Sequence, residues 1–256
     1  KMKKLIVCDG DSWTSGDIID PDLNITHVNA KENDSYRLPK VWPHKLGKLL
    51  NIDVQNNAIA GSSNDGIVRR VTNSVLSNVD LNGDDPFGYK PEELFYIIGW
   101  SSPERKDFYY KGDWEEWETL YPAQLEQNLP KHLLEFYKTY IAYFWNEEEF
   151  LNRYVHQNLY LHNFLSNYGI DHIFFDSFYE GKNTRIYDDF ELFYKIENKQ
   201  DKVAKEFLRM REKHFIKKSF KGHIFEVDLT LFDEMHPTEE AHDYWAEYIQ
   251  AEIFND

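Results

Sequence analysis

Cysteine is almost absent from this sequence, which has only Cys8 among its 256 residues. A single cysteine excludes an internal disulfide and a structural zinc site built from cysteines, and it fits a reducing compartment. Because Cys8 stands inside the apolar run 5–8, we interpret it as a small buried core residue.

Positive charge is also scarce, because 29 Lys and Arg face 45 Asp and Glu and give a formal net charge of −16. Binding to a phosphate-rich surface requires a surplus of basic residues on at least one face of the protein. The sequence contains no basic cluster of this kind. We therefore predict that neither a nucleic acid nor an anionic membrane surface is a partner.

Long apolar runs are missing as well. The longest ones, such as 5–8 and 173–175, are far shorter than the roughly 20 residues of a membrane span. A secretory signal is not visible, since Asp9 interrupts the first apolar run. We expect a soluble protein that resides in the cytoplasm.

The chain does contain enough apolar material for a large core, with 41% hydrophobic and 16% aromatic residues. Its length fits one large α/β domain better than two small ones. It shows no internal repeat, low-complexity tract or flexible linker. We predict a single domain over residues 1–256.

Short apolar segments alternate with helical patterns along the chain. Candidate strands lie at 5–8, 52–54, 94–98, 170–175 and within 223–231. Amphipathic helical spacing lies at 41–50, at 61–76 and after Thr238. This alternation predicts a parallel sheet with helices on both faces. The active sites of such folds form at the carboxyl ends of the strands.

Residues 106–168 exceed what a crossover between two strands needs, and we predict that they form a helical, aromatic-rich insertion. The part from Leu120 to Tyr168 has the pattern of two long helices. The insertion is a candidate cap or substrate-facing wall. Ordinary helix packing or an oligomer contact explains the same aromatic residues, and we give that explanation more weight.

The first segment that can carry chemistry is Gly10-Asp-Ser12, directly after the first predicted strand. A serine in such a turn can expose its hydroxyl at the sheet edge, while nearby N–H groups point at a developing oxyanion. The alternative is that Ser12 caps the next helix. The neighbouring Trp13 has two equally weighted interpretations, as a pocket wall for acyl chains or sugar rings and as a core residue.

Two further segments follow later in the chain. In 56–64, Gly61 lets the backbone approach a ligand and Asn64 can donate an amide hydrogen, although such a loop also simply enters a helix. Before the last helix, Asp233 stands three residues ahead of His236 and can orient its imidazole, as a general base for serine requires. The alternative is a histidine that closes the N-terminus of the last helix.

Together, the three segments resemble the GDSL/SGNH hydrolase superfamily. They are Gly-Asp-Ser, Asn-x-Ala-x-x-Gly and Asp-x-x-His-Pro, in that order and over almost the whole chain. The resemblance implies a flavodoxin-like three-layer α/β/α fold around a central parallel sheet, and a serine-esterase mechanism. It implies that Ser12 is the nucleophile, His236 the general base and Asp233 the residue that orients it. The backbone N–H groups of Ser12 and Gly61 match the family's oxyanion donors.

The third block departs from the family pattern Gly-x-Asn-Asp, whose asparagine is the remaining oxyanion donor. This chain has Gly99-Trp-Ser-Ser and places Ser101 at the asparagine position. The loss of one such donor costs about 10² to 10³ in turnover. We favour a rescue in which Ser101 donates directly or through a water, and the alternative is that Asn64 takes over. Trp100 and Asn64 are further candidates for substrate contact, and we expect Arg105 to pair with a carboxylate.

Two rival interpretations stay open. The segment 5–11 also resembles the opening of haloacid-dehalogenase-type phosphatases, with Asp9 as nucleophile and Asp11 as acid/base around Mg²⁺. Trp13 stands where that family has a threonine, which weakens this rival. The second rival is an SGNH-like domain that has lost efficient catalysis and serves as a binding or structural module. The missing asparagine motivates it.

The ten histidines give little support for a metal site. No His-x₃-His pattern with a nearby acid appears, and His156 and His162 fall on different faces of a helix. We therefore predict no metal and no cofactor. The function that the sequence favours is hydrolysis of a carboxylic ester by Ser12, His236 and Asp233. The predicted substrate is a small molecule or a glycan that carries an O-acyl group.

Overall fold

The computed structural model describes residues 3–80, 88–111, 115–121, 125, 129–178, 196, 198–199, 201–233 and 236–254, without the side chains of Glu115, Leu229 and Asp233. The β-strands are β1 Leu5–Asp9, β2 Asp53–Asn56, β3 Leu94–Trp100, β4 Lys106–Lys111, β5 Glu115–Leu120, β6 Asp171–Asp176, β7 Phe232–Asp233 and β8 His236–Pro237. The α-helices are α1 Ser12–Ser15, α2 Asp34–Arg37, α3 Trp42–Leu50, α4 Asn64–Asn78, α5 Lys131–Tyr143, α6 Glu147–Asn167, α7 Lys202–His214, α8 Phe220–Val227 and α9 Glu239–Ile253. None of these helices combines the length and the apolar character that a membrane span requires.

Four parallel strands form the central sheet in the order β2-β1-β3-β6. Val7 of β1 pairs with Gln55 of β2 on one side and with Tyr96 of β3 on the other. Tyr96 pairs in turn with His172 of β6. Helices cover both faces of this sheet. The predicted α/β class, a flavodoxin-like three-layer sandwich, is confirmed.

Alternate residues of β1 point to opposite faces of the sheet. Leu5 and Val7 pack with α4, α6 and α7 in one apolar cluster. Ile6 and Cys8 pack with α3, α8 and α9 in a second cluster. Cys8 is fully buried, as the sequence indicated, and this burial raises the pKa of its thiol well above the ordinary value.

The prediction of a fifth strand within 223–231 is wrong. This stretch forms the greater part of α8 and a short 3-10 turn after it. Ser219 caps α8 by accepting a backbone N–H, and Phe220 and Ile224, one helical turn apart, are both fully buried. Beside β6, the described residues extend the sheet by a single parallel bridge at Phe215.

Residues 106–168 are not helical throughout, which corrects the predicted insertion. They begin with an antiparallel hairpin of β4 and β5, and α5 and α6 follow. Side chains alternate along β4, where Tyr110 is buried and Tyr109 is exposed, and this period of two suits a strand. The hairpin and α5 share a small apolar cluster. In contrast, α6 packs on the main core as the crossover helix between β3 and β6.

Candidate active site

The turn after β1 carries Ser12, which begins α1 only two residues beyond the strand. The side chain of Asp11 caps α1 by accepting a hydrogen bond from the Trp13 N–H at 3.0 Å. Gly10 is required here, because a Cβ at this position would lie 2.4 Å from a side-chain oxygen of the next turn. Since Asp11 is the cap, the Ser12 hydroxyl is left for other chemistry.

His236 reaches this serine from the other end of the chain. Its Nε2 lies 3.1 Å from Ser12 Oγ. The histidine stands on β8, and Thr238 caps the helix that follows, α9. The histidine is therefore not the helix cap. At this distance, the imidazole is within reach of the hydroxyl proton that a general base must accept.

The carboxylate beside this imidazole belongs to Asp17, whose Oδ2 lies 3.0 Å from His236 Nδ1. Asp17 directly follows Gly16, which ends α1 with φ of +79°, a left-handed conformation that favours glycine. The side chains of Asp17 and His236 are 40% and 34% exposed, so the pair lies at the protein surface. No motif in the sequence links Asp17 to the histidine, and the structure brings the two together.

The residue that the resemblance assigns to this role is Asp233. Its backbone is the register partner of His236 in the β7–β8 hairpin. Its side chain lies outside the described part of the structure. Asp17 is thus a candidate by contact, and Asp233 stays a candidate by resemblance.

Two backbone N–H groups are available for an oxyanion. Within the described residues, the N–H groups of Ser12 and Gly61 donate no hydrogen bond. Gly61 has φ of +80°, and a Cβ there would meet no atom within 4 Å, so open space lies beside it. Its loop is held against the nucleophile turn by a hydrogen bond of 3.3 Å from the Ile59 N–H to the Gly10 carbonyl oxygen.

Ser101 follows β3 as predicted, but its hydroxyl is already engaged. Its Oγ donates to Asp11 Oδ2 at 2.9 Å and accepts from Arg105 Nη1 at 3.1 Å. The residue is fully buried. A hydroxyl has one hydrogen to donate, so Ser101 in this arrangement does not replace the missing asparagine.

The side chain of Asn64 is engaged with the backbone of the same serine. Its Oδ1 accepts from the Ser101 N–H at 2.8 Å, and its Nδ2 donates to the Ser101 carbonyl oxygen at 3.0 Å. Asn64 is 1% exposed. It therefore holds the loop after β3 in place, and this position suits neither substrate contact nor the oxyanion role.

Arg105 pairs with the buried carboxylate of Asp11, as the sequence suggested. Its Nη1 lies 3.6 Å from Asp11 Oδ2 and donates to the Ser62 carbonyl oxygen at 3.2 Å. Burial raises the pKa of Asp11, and the positive charge of Arg105 and the hydrogen bond from Ser101 partly oppose this rise. The arginine therefore supports the turn that carries the serine.

The two tryptophans predicted to contact substrate lie in the core. Trp13 is 4% exposed, and its ring centroid lies 5.1 Å from that of Phe178. Trp100 is fully buried, with its ring centroid 6.1 Å from that of Tyr154. Of the two interpretations of Trp13, core packing fits the structure. Trp100 has no exposed surface to offer to a substrate.

Asp9, the nucleophile of the phosphatase interpretation, is committed to an ion pair. The Nε of Arg70 lies 3.2 Å from each of its carboxylate oxygens, and the Gly10 N–H donates to Oδ1 at 2.7 Å. Burial raises the pKa of Asp9 to about 6 against the opposing effect of Arg70. Ser12 is also buried, at 5% exposed, but it contacts His236, whereas Asp9 and Asp11 are each paired with an arginine, so the geometry favours the serine as the reactive group.

A family model described as a family of unknown function, DUF6071, matches residues 26–256. No curated protein matches the sequence. Among solved structures, TesA has a TM-score of 0.51 at 10% identity, over 98% of both chains.

Two further structures are similar. A carbohydrate esterase, whose active site is described as having divergent catalytic and non-catalytic binding functions, has a TM-score of 0.50 at 14% identity, over 100% of this chain and 70% of its own. A lipolytic protein of the G-D-S-L family from Veillonella parvula has a TM-score of 0.48 at 15% identity, over 98% of both chains. At these identities the likeness concerns the fold. The chain has the fold of the GDSL/SGNH hydrolases, which confirms the resemblance found in the sequence.

Proposed function

The chain belongs to the DUF6071 family, a family of unknown function, and we propose that it is a serine hydrolase that cleaves carboxylic esters. The observation that carries this proposal is the contact of 3.1 Å between Ser12 Oγ and His236 Nε2, with Asp17 at 3.0 Å from the other ring nitrogen. A serine, a histidine and a carboxylate connected in this order form the machinery of acyl transfer.

The reaction would proceed in two halves. Ser12 Oγ attacks the acyl carbon while His236 Nε2 accepts the hydroxyl proton, and the N–H groups of Ser12 and Gly61 hold the oxyanion. The carbon–oxygen bond to the leaving group then breaks, and the alcohol departs with the proton from His236. A water attacks the acyl-enzyme and gives its proton to the same imidazole, which returns it to Ser12 Oγ as the carboxylic acid leaves.

Asp17 is proposed to orient the imidazole in this reaction. Its contact with Nδ1 favours the tautomer that carries a hydrogen on Nδ1, which leaves the lone pair of Nε2 facing Ser12. When His236 takes up the proton, the negative charge of Asp17 stabilises the imidazolium. Asp233 is the alternative for the same role, on the strength of the family resemblance.

The proposed substrate is an O-acyl group on a small molecule or a glycan. The hairpin of β4 and β5 presents two exposed aromatic rings, Tyr109 and Trp117, whose centroids lie 5.4 Å apart. Asp107 of β4 attaches this hairpin to Ser63, two residues after Gly61, through a hydrogen bond of 2.5 Å. Exposed aromatic rings suit sugar stacking, and one solved structure with this fold is a carbohydrate esterase.

Labelling with a fluorophosphonate probe, run beside hydrolysis of a short-chain aryl ester, tests the proposal. We expect labelling and turnover in the wild type and in Ser15→Ala, which removes another hydroxyl from the same helix. We expect both to vanish in Ser12→Ala. Labelling that persists in a folded Ser12→Ala variant would overturn the assignment of the nucleophile.

A second candidate function is a binding module that has kept the fold and lost efficient catalysis. The observation that favours it is the engagement of Ser101 and Asn64, so that neither side chain is available as the oxyanion donor that replaces the family's asparagine. Under this alternative, a folded wild-type protein would neither react with the probe nor hydrolyse esters. It would still bind an acylated glycan in a calorimetric titration.

A further inference from the structure

Three histidines meet at a place separate from the serine site. His162 comes from α6, His172 from β6 and His214 from the last position of α7. Each offers one ring nitrogen, and these nitrogens all lie within 4.8 Å of one another. His172 is buried and the other two are half-buried. In the strand order of the sheet, β3 lies between β6, which carries His172, and β1, which leads to Ser12.

Hydrogen bonds orient the buried ring of the cluster. His172 Nδ1 lies 2.9 Å from the Ile170 carbonyl oxygen, so this nitrogen carries the hydrogen and Nε2 carries the lone pair. Nε2 lies 2.9 Å from His162 Nδ1. Metal-binding histidines typically donate one ring N–H to a backbone carbonyl and leave the lone pair of the other nitrogen for the metal. His172 has this arrangement.

The third ring of the cluster lies against the buried one. The ring of His214 stacks on that of His172, with centroids 4.9 Å apart, which brings the third donor to the same place.

We propose that His162, His172 and His214 bind a divalent transition-metal ion of the zinc type. Three nitrogen donors suit Zn²⁺ and its neighbours, whereas Ca²⁺ and Mg²⁺ prefer oxygen. Zn–N bonds of about 2.0–2.1 Å in a tetrahedral site place the ligand nitrogens roughly 3.4 Å apart. Small rotations of the two half-buried rings would bring the cluster to this spacing and leave a fourth position for water. The ion would connect α6, β6 and α7.

A competition titration of the full chain with Zn²⁺, against a chromophoric chelator, tests the proposal. We expect one Zn²⁺ per chain with a Kd of about 1 µM or tighter. His162→Gln and His214→Gln each remove one ligand, and each should weaken binding at least about tenfold. Both positions are half-buried, so these variants are more tolerable than a change at the buried His172. The matched control is His156→Gln, an exposed histidine on α6 that should bind as the wild type does.

Two further measurements separate this site from the alternatives. Saturating Zn²⁺ should raise the Tm of the wild type and of His236→Gln by several degrees, but not the Tm of His162→Gln or His214→Gln. Visible absorption of bound Co²⁺ should show a nitrogen-rich site in the wild type and in His236→Gln. The proposal is overturned if the wild type binds no Zn²⁺ at micromolar concentration. It is also overturned if binding persists in both cluster variants and disappears in His236→Gln, which would place the ion at the serine site.

Discussion

The two sides of the serine site differ in how their polar groups are satisfied. The nucleophile side consists of Ser12, Asp17 and His236. The third-block side consists of Asp11, Asn64, Ser101 and Arg105. On the nucleophile side, the histidine and its carboxylate are 34% and 40% exposed, and the contacts run from one reactive group to the next. On the third-block side, the side chains bond to one another and to buried backbone.

Under the proposed mechanism, this difference separates the part of the site that would carry the chemistry from the part that supports it. In that mechanism, proton transfer depends on the nucleophile side, where His236 and Asp17 reach the protein surface. The third-block side fixes the turn that presents Ser12, because Asp11 both caps α1 and accepts the Ser101 hydroxyl. In the proposed mechanism, oxyanion stabilisation is left to the N–H groups of Ser12 and Gly61. We expect slower turnover than in an enzyme with a third donor, by about 10² to 10³.

Apart from removal of the nucleophile itself, the largest expected effect comes from the carboxylate of the nucleophile side. Asp17→Asn should lower kcat by about 10³ with KM little changed, because the amide no longer stabilises the imidazolium and permits the wrong tautomer. Ester hydrolysis and probe labelling measure the change. Asp22→Asn, an exposed aspartate in the same loop, is the control and should have no effect. If Asp233→Asn produces the whole loss and Asp17→Asn none, the orienting acid is Asp233.

The two sides also differ in how far the sequence could predict them. Ser12 and His236 stand in short motifs, after a buried strand and before a helix, so local pattern was sufficient to find them. The contact between Asp17 and His236 joins opposite ends of the chain, and no spacing rule reveals it. The histidine cluster was missed for the same reason, since its members come from three separate elements and not from one helix face.

The fold was predictable where burial alone determines the pattern. The continuous apolar run of β1 and the apolar segment of β3 predicted strands of a parallel sheet. Prediction was wrong within 223–231, where apolar and aromatic residues suit a strand and a helix equally and the Ser219 cap decides for the helix. The hairpin of β4 and β5 was missed because exposed aromatic residues obscure its period of two.

A change on the third-block side is expected to affect stability more than turnover, and the effect is smaller than that of Asp17→Asn. Arg105→Gln leaves the buried charge of Asp11 without its partner and should cost about 2 kcal/mol of unfolding free energy, since the arginine is 19% exposed. The folded pKa of Asp11 is raised by burial, so its contribution to stability falls as pH rises through that pKa. Without Arg105, the pKa of Asp11 rises further. The loss of unfolding free energy caused by Arg105→Gln should therefore shrink at low pH, where Asp11 is protonated.

Urea unfolding at pH 5 and pH 8 measures this prediction. Arg209→Gln is the control, because its pair with Glu206 is exposed and should contribute little at either pH. The double variant Arg105→Gln with Asp11→Asn should recover part of the loss. A deficit that is independent of pH, and unaffected by Asp11→Asn, would mean that Arg105 acts through packing and not through the charge of Asp11.

The smallest effect on turnover is expected from Ser101→Ala. Its hydroxyl is donated to Asp11 and is fully buried, so its removal takes no hydrogen bond from the oxyanion, and kcat should change by less than about threefold. The unfolding free energy should still fall by about 1–2 kcal/mol, because Asp11 loses a hydrogen bond to a charged group. Ester hydrolysis and urea unfolding of the same preparation separate the two effects. A loss of 10² or more in kcat at unchanged stability would instead make Ser101 the third oxyanion donor, and the two sides of the site would then share the chemistry.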